Sequence, residues 1–385
     1  MTSEQLRAPL PPLAAIPADI QSLADYERLA PGHLTPEVWR HIEAGTGREI
    51  TLAANREQFD RLQLVPRRLV GMRGASTAID LFGRSHAAPI LLAPVAYQRL
   101  AHPLGELAMV AAAVALDTTM IVSTLSSYAL EEIAERGASA AAELGKTAPP
   151  PLWFQLYLQP DPSDSEALVR RAEAAGYQAI VLTVDAGAKP AGMILPPGIE
   201  AANLAGMRRE TVETKLLGGS LFGTPLTDAV PTWDDVDWLR GITTLPIIVK
   251  GLLAPEDAKL AQDHGVDAVI LSNHGGRVLD GLAPPLDMLP AVVTATGGTL
   301  PILMDGGVRQ GSDIVKALAL GAKAVLVGRP QFHALAVAGI VGAAHMLHLL
   351  RTELELAMIQ TGVQNVRFLC NDHVGRRFTR DIVSF

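Results

Sequence analysis

Polar side chains stand at the ends of short apolar runs in this sequence, and they are of the types that move protons. The run DAVILSN is followed by His274 and Arg277. The run QAIVLTVD ends on Asp185, and the run PIIVKG carries Lys250. A histidine beside a carboxylate can act as a general base near neutral pH. Fixed cations next to that base could hold an acidic substrate or offset a developing charge, so the residues indicate acid–base chemistry at a charged site.

Two further runs end in glycine and arginine, an arrangement that can hold a phosphate. The residues concerned are Asp305, Gly306, Gly307 and Arg309 in MDGGVRQGSD, and Gly328 and Arg329 in VLVGRP. Backbone amides exposed by glycine at the start of a helix, next to a guanidinium, bind phosphate in β/α barrels. Tight turns with surface arginines are the alternative. Two such sites after successive runs favour phosphate binding.

The elements that position these groups are eight short runs rich in Val, Ile and Leu. Such continuous apolar runs are typical of strands buried on both faces. Segments with helical spacing lie between them, including residues 165–175, 255–264 and 311–320. This alternation predicts an α/β fold, a TIM (β/α)8 barrel, with a doubly wound open sheet as the alternative. The runs start at Pro89, Thr119, Leu152, Gln178, Pro246, Asp267, Pro301 and Lys323.

The connection after the fourth run, residues 186–232, is about twice as long as the others. It starts on the face where barrels build active sites, so we interpret it as an active-site lid. A disordered surface insertion is the alternative. We expect residues 1–23 to be a flexible extension and residues 24–385 a single barrel domain. Within that domain, residues 24–82 are predicted to form helices and short strands that cap the bottom of the barrel, and residues 341–358 a helix on the outer ring.

The composition excludes several classes of function. The formal charge of −8, from 32 basic and 40 acidic residues, gives no electrostatic footprint for nucleic-acid binding. A hydrophobic content of 49 % excludes disorder. No apolar run reaches the roughly 20 residues of a membrane span, so no membrane insertion is expected. The single cysteine, Cys370, excludes an internal disulfide framework and a CxxC metal cluster, and it favours a cytoplasmic location.

The stretch SNHGGR at residues 272–277 resembles the active-site motif of the FMN-dependent α-hydroxy-acid oxidases and dehydrogenases, the family of glycolate oxidase, lactate oxidase and mandelate dehydrogenase. Other segments resemble that family in the same order: LAPVAYQRLAHPLGE, TLSS, FQLY, LTVD, PIIVKG, MDGGVRQGSDIVKALALGA and VGRP. The similarity runs from about residue 24 to about residue 365. It implies FMN as cofactor, oxidation of an α-hydroxy acid to the 2-oxo acid, oxygen or another electron acceptor, and a homotetramer.

The resemblance implies a role for each matching residue. His274 would take a proton from the substrate while a hydride goes to the flavin, and Asp185 would stabilise the imidazolium. Tyr157 would hydrogen-bond the substrate oxygen, and Arg277 would hold the substrate carboxylate through two donors. Lys250 would offset the charge of the reduced flavin. Flavin contacts are implied for Pro94, Val95, Ala96, Ser126, Gln155, Thr183 and Ser272 at the ring, Asp305 at the ribityl chain, and Gly306, Gly307, Arg309, Gly328 and Arg329 at the phosphate.

Three positions depart from the family pattern, and all concern the substrate. Gly192 stands where many members have a second carboxylate-binding arginine, His41 where many have a tyrosine, and Tyr128 where many have a tryptophan. We expect His41 and Tyr128 to contact the substrate. Three explanations stay open: His41 or Lys189 replaces the missing donor, the substrate is an ester, an amide or a weaker acid, or simple hydroxy acids are no longer oxidised while FMN is still held.

The lid also differs from the family, and the stretch APVAYQRL is similar to hydroxymandelate-oxidising members. The hypothesis for the substrate is therefore a hydroxy acid larger than lactate, such as a mandelate. Two other functions stay open from the residues alone. One is a non-redox barrel enzyme that uses Lys250 as a Schiff-base nucleophile on a sugar phosphate. The other is a flavin-binding protein without turnover.

Overall fold

The computed structural model describes residues 8–186, 194–207, 222, 227 and 230–376. Its strands confirm the eight runs, each of which contains one barrel strand, and three short strands precede them while one follows. The strands are β1 (Leu62–Leu64), β2 (Ile79–Leu81), β3 (Arg84–His86), β4 (Ile90–Leu92), β5 (Met120–Ser123), β6 (Leu152–Leu156), β7 (Ile180–Thr183), β8 (Ile247–Leu252), β9 (Ala268–Leu271), β10 (Ile302–Met304), β11 (Ala324–Val327) and β12 (Val374–Arg376).

Strands β4 to β11 form a closed parallel barrel in chain order, in which β11 pairs back to β4. A TIM barrel is therefore the observed fold, and the doubly wound alternative is wrong because the sheet has no free edge. Every residue of β4 to β7 and of β9 to β11 is buried. Burial on both faces explains why these strands read as continuous apolar runs in the sequence.

Among the described residues, one helix follows each barrel strand, and three helices precede the barrel. The helices are α1 (Leu23–Leu29), α2 (Pro36–Glu43), α3 (Ile50–Asp60), α4 (Gly105–Ala115), α5 (Leu130–Glu143), α6 (Pro162–Ala174), α7 (Trp233–Ile242), α8 (Pro255–Asp263), α9 (Pro285–Ala295), α10 (Gly311–Ala319) and α11 (Arg329–Thr361). Thr35 caps α2 by accepting a hydrogen bond from the Val38 amide, and Pro36 starts the helix.

Helix α11 contains the predicted outer-ring helix, residues 341–358, in its second half. Its backbone leaves helical geometry at Ala338 and Gly339, so two helical segments meet there at a kink. By length and composition α11 could cross a membrane, yet 67 % of its most apolar window is buried inside the protein. It packs on α1, α4 and α10, as a core helix does.

The segment before the barrel divides between the two mouths, which corrects the prediction that all of it caps the bottom. The β2–β3 hairpin does lie at the bottom, where Phe82 packs on Trp153 near the start of β6, with ring centroids 5.5 Å apart. Helices α2 and α3 lie at the opposite mouth, where the carbonyl groups at the end of α2 accept hydrogen bonds from Arg277. The carbonyl groups at the end of α2 thus have their hydrogen-bond donor, Arg277, at the catalytic mouth, whereas the hairpin at the bottom is apolar.

Three side chains from residues 8–22, within the segment expected to be a flexible extension, pack on the hydrophobic core: Leu13, Ile16 and Ile20. The Leu13 amide donates to the Val337 carbonyl at 2.7 Å, and Ile20 is buried. Apolar residues along this segment supply the contact surface. Of the predicted lid, residues 194–207 and 230–232 are described, together with residues 186, 222 and 227, and they include the buried Asn203.

Candidate active site

A cavity of about 380 Å³ lies at the mouth formed by the C-terminal ends of the barrel strands. Most of the residues singled out in the sequence line it, although they come from eight separate stretches of the chain. Those residues are His41, Pro94, Val95, Ala96, Tyr157, Thr183, Lys250, His274, Arg277, Asp305, Gly306, Gly307, Arg309, Gly328 and Arg329.

His274 and Asp185 form a hydrogen-bonded pair beside this cavity. Nδ1 of His274 is 2.8 Å from Oδ1 of Asp185, and Nε2 is 3.4 Å from the Tyr157 hydroxyl. Burial raises the pKa of Asp185, but the charge of Lys250 and the hydrogen bond from His274 outweigh it, so the pKa is lowered overall. The carboxylate therefore orients the imidazole through Nδ1, with Nε2 on the side of the Tyr157 hydroxyl, where it could take a proton from a bound molecule.

The backbone around this pair is unusual at two positions. The backbone of His274 itself has a left-handed conformation, with φ of 55°. Residues other than glycine rarely adopt this conformation outside functional or tightly constrained sites. Gly251, directly after Lys250, has φ of 114°, and a Cβ there would lie 2.6 Å from Cβ of Asp185. Glycine at 251 is thus required for Asp185 to reach His274. The position of Gly251 at a strand end did not reveal its close contact with Asp185.

Lys250 is fixed inside the mouth by two partners. Its ammonium donates to the Ser272 hydroxyl at 2.8 Å and lies 3.0 Å from Oδ2 of Asp305. Burial lowers the pKa of Lys250, but the charges of Asp305 and Asp185 more than compensate and raise it. A Schiff-base nucleophile must lose this proton to react. The arrangement keeps the ammonium form and argues against that alternative.

Several buried polar atoms next to the cavity have no hydrogen-bond partner within the described part of the chain. They are Nε2 of Gln155, Oγ1 of Thr183 and Oδ1 of Asp305. Unsatisfied buried groups are costly, so such atoms in a cleft indicate a missing polar ligand. A flavin ring offers carbonyl and N–H groups on one edge, and its ribityl chain offers hydroxyls. The donors and acceptors present therefore fit FMN, with the Lys250 ammonium available to the ring.

The predicted phosphate end lies beyond β10 and β11. Arg329 donates to the carbonyls of Ile42 and Gly275, both at 3.1 Å, and burial lowers its pKa to about 10, which leaves it charged at neutral pH. Arg309 lies 3.6 Å from Glu27. A Cβ at Gly307 would meet the Asn55 carbonyl at 1.8 Å, so this glycine lets α3 close over the loop as well as lining the cavity.

Arg277 reaches the cavity with part of its guanidinium already engaged. Nη1 donates to the carbonyls of His41, Ile42 and Ala44 at the end of α2, over 2.8, 3.0 and 3.1 Å. Nε and Nη2 make no hydrogen bond to the described residues. Burial lowers the pKa of Arg277. One edge of the guanidinium is therefore anchored and the other can meet an acidic group.

Five residues expected at the site do not line the cavity: Ser126, Tyr128, Gln155, Asp185 and Ser272. The Ser126 hydroxyl donates to the Tyr128 carbonyl at 2.7 Å and accepts from Asn203 at 2.8 Å. The Tyr128 hydroxyl donates to the Pro103 carbonyl at 3.0 Å, and the Arg99 guanidinium lies 5.5 Å from the centre of its ring. Gln155, Asp185 and Ser272 each accept a hydrogen bond from a lining residue, which is Ser123, His274 and Lys250 respectively. Gly192 and Lys189 lie outside the described residues.

Sequence reasoning missed several apolar or aromatic lining residues, among them Tyr97, Leu195 and Phe332. Tyr97 follows the end of β4 in the stretch APVAYQRL, and its φ of 55° turns the chain there. Its position after a strand end could have identified it. Leu195 lies in the long connection after β7, where no local pattern indicates which side chain turns inward.

The barrel and its mouth define the class of protein, a flavin-dependent oxidoreductase with a β/α barrel. The sequence profile described as FMN-dependent dehydrogenase matches residues 30–376, and the chain belongs to that family. Its cofactor is FMN, and its reaction is the oxidation of an α-hydroxy acid to the 2-oxo acid. The resemblance seen in the sequence is thereby confirmed, and the non-redox alternative is wrong.

Relatives of this chain carry several substrate names. It is 46 % identical over 368 residues to an L-lactate oxidase of Alicycliphilus denitrificans, covering 94 % of this chain and 98 % of the relative. It is 43 % identical to a 4-hydroxymandelate oxidase of Amycolatopsis orientalis, covering 90 % and 95 %. A solved structure of mandelate oxidase, an Arg-to-Leu variant with 2-hydroxy-phenylacetamide, superposes with a TM-score of 0.81 at 40 % identity, covering 93 % and 98 %.

Proposed function

We propose that this enzyme oxidises an α-hydroxy acid with an aryl side chain, of the mandelate type. The observation that carries this is the wall of the cavity beside the His274–Asp185 pair, to which Tyr97 and Leu195 contribute. Apolar and aromatic side chains bind a ring through buried surface and ring–ring contact. The similarity to 4-hydroxymandelate oxidase and to mandelate oxidase supports the same substrate class.

In the proposed mechanism, Nε2 of His274 takes a proton from the substrate. FMN supplies the acceptor for the hydride when it is bound. The Asp185 carboxylate, 2.8 Å from Nδ1, stabilises the imidazolium that results. Tyr157 stays protonated because burial raises its pKa, so its hydroxyl can donate to the substrate oxygen.

Arg277 would bind the acidic group through the edge of its guanidinium that α2 does not occupy. His41 lines the same cavity and stands where the family tyrosine is missing, so it would supply a second contact. A neutral derivative of the acid, an amide or an ester, is the second candidate substrate. The mandelate oxidase variant solved with 2-hydroxy-phenylacetamide supports it, because that ligand is an amide.

We further propose molecular oxygen as the electron acceptor, since relatives that share 46 % and 43 % identity with this chain are named oxidases. A homotetramer, a cytoplasmic location and a lid function for residues 186–232 are also proposed. The family resemblance supports the first of these, and the single cysteine supports the second.

An anaerobic reduction screen tests the proposed function. The yellow holoenzyme is mixed without oxygen with (S)-mandelate, lactate, glycolate and mandelamide, and loss of flavin colour is followed by stopped flow. Mandelate should bleach the flavin fastest, and admission of air should restore the colour. Much faster bleaching by lactate would contradict the aryl substrate. Retained colour with every compound would favour a flavin-binding protein without turnover.

A further inference from the structure

A hydrogen bond outside the cavity ties the end of α2 to the start of α11. Oε1 of Glu43, the last residue of α2, lies 2.7 Å from Nε2 of His333. The His333 side chain is only 1 % exposed, and its ring packs on Trp39 with centroids 5.5 Å apart. Burial raises the pKa of Glu43, but the hydrogen bond and charge of His333 and the charge of Arg329 lower it overall. The Glu43 side chain is thus a fixed carboxylate at neutral pH.

Two site arginines converge on the same helix end. Arg277 donates to carbonyls at positions 41, 42 and 44, and Arg329 donates to the carbonyls of Ile42 at 3.1 Å and Ala44 at 3.3 Å. The carboxyl end of a helix carries partial negative charge. The Glu43 carboxylate adds a full negative charge to that end. Both arginines therefore have a counter-charge inside the protein.

The effect of this counter-charge reaches Arg277, the residue that would meet the substrate. Arg277 donates to the carbonyls of Ile42 and Ala44, the residues on either side of Glu43, and the negative charge of Glu43 raises the pKa of Arg277 against the lowering by burial. The charge of Glu43 acts on the pKa of Arg329 in the same direction. An anionic substrate must share Arg277 with Glu43, and it is repelled by Glu43. A neutral substrate experiences no such repulsion.

We propose that Glu43, held in place by His333, is a specificity-determining residue that weakens the preference of this site for a carboxylate over a neutral amide or ester. The proposal rests on the proposed function, in which Arg277 meets the acidic end of the substrate.

Charge removal at Glu43 tests the proposal. In the Glu43→Gln holoenzyme, KM for (S)-mandelate should fall about fivefold, equivalent to about 1 kcal/mol. KM for mandelamide should stay within about twofold of the parent, since the amide carries no charge. Calorimetry measures the same effect without turnover. The Kd for benzoylformate should fall about fivefold, and the Kd for its methyl ester should stay within about twofold of the parent. Glu43→Asp keeps the charge and should retain the parent ratio of acid to amide.

The matched control is Glu37→Gln, which removes the same charge from an exposed position on the same helix. It should leave both KM values unchanged. If Glu43→Gln does not fold, Glu43→Met removes the charge with a similar volume and is measured instead. An equal change for acid and amide, or no change, would overturn the proposal. Failure of the parent protein to bind either benzoylformate or its ester would overturn the proposed function as well, and so the two failures are distinguishable.

Discussion

The two ends of the cavity are built from different kinds of structure. At the flavin end the side chains come from barrel strands and the turns directly after them, as with Thr183, Lys250 and Asp305. At the substrate end, His41 comes from α2 and Leu195 from the long connection after β7. Barrel strands are fixed by hydrogen bonds on both sides, whereas the outer segments depend on a few side-chain anchors. The cofactor chemistry is thus held rigidly, while substrate selection can vary with segments that the barrel does not constrain.

The largest expected effect on activity is that of a substitution at His274, between the flavin end and the substrate end of the cavity. His274→Ala should lower the rate of anaerobic flavin reduction by about 10²- to 10⁴-fold, since it removes the general base. FMN content should stay that of the parent because the flavin end is intact. Stopped-flow reduction and the flavin-to-protein absorbance ratio measure both.

His264→Ala is the matched control for that variant, because His264 forms a similar pair with Asp237 at 2.8 Å, away from the cavity. It should reduce its flavin at the parent rate. Normal reduction in His274→Ala would remove this histidine from the role of base.

Lys250→Met tests the rigidity of the flavin end. Without the ammonium, the buried Asp305 and Asp185 carboxylates lose their shared cation, which costs about 3–5 kcal/mol when a buried pair is broken. We expect a lower Tm and loss of FMN during gel filtration. The control Lys323→Met changes an exposed residue and should alter neither the Tm nor the retention of FMN. A Lys250→Met protein with the parent Tm and full FMN content would disprove the structural part of this role.

Asn203→Ala tests the anchoring of the substrate end. The fully buried Asn203 amide donates to Ser126 at 2.8 Å, and its oxygen accepts from the Leu130 amide at 2.8 Å. Leaving these partners unsatisfied should cost about 1–3 kcal/mol of unfolding free energy. KM for mandelate should rise because the segment carrying Leu195 is released, while FMN content stays unchanged.

A matched control for the anchor is Asn365→Ala, which removes a side-chain bond to the Arg367 amide at 2.9 Å, away from the cavity. It should lower the Tm slightly and leave KM unchanged. If Asn203→Ala lowers the Tm without any change in KM, the segment does not control substrate binding.

The smallest effect is expected for Tyr128→Phe. Its hydroxyl bonds an exposed carbonyl, and Tyr128 does not line the cavity, so stability should change by no more than about 0.5 kcal/mol. Steady-state kinetics with mandelate should stay within about twofold of the parent. A large rise in KM would restore the sequence-based expectation that Tyr128 contacts the substrate.

The sequence predicted the flavin end more fully than the substrate end, for a physical reason. A strand buried on both faces leaves a continuous apolar run, and the polar residue at its end is conspicuous, as Lys250 and Asp185 show. The placement of α2 at the catalytic mouth depends on hydrogen bonds from Arg277, more than 200 residues away along the chain. Local patterns carry no information about such pairings. The Glu43–His333 pair went unnoticed for the same reason.

The glycines illustrate a further limit. The position of Gly306, Gly307 and Gly328 after strand ends correctly indicated the mouth of the barrel. The sequence, however, suggested a role for these glycines only at the phosphate of the cofactor. Gly251 and Gly307 are also required by close protein contacts, with Asp185 and with the backbone of α3. A sequence shows that a residue must be small, and the structure shows what lies against it.

The pairing of β1 with β12 has a consequence for the way this protein is made. Leu62 lies opposite position 376, so the partner of β1 is synthesised roughly 300 residues later. Until then β1 presents an open edge that can pair with another chain. A contact of such long sequence separation forms late and slowly. The two-stranded sheet is therefore expected to form late in folding, after the last part of the chain has been synthesised.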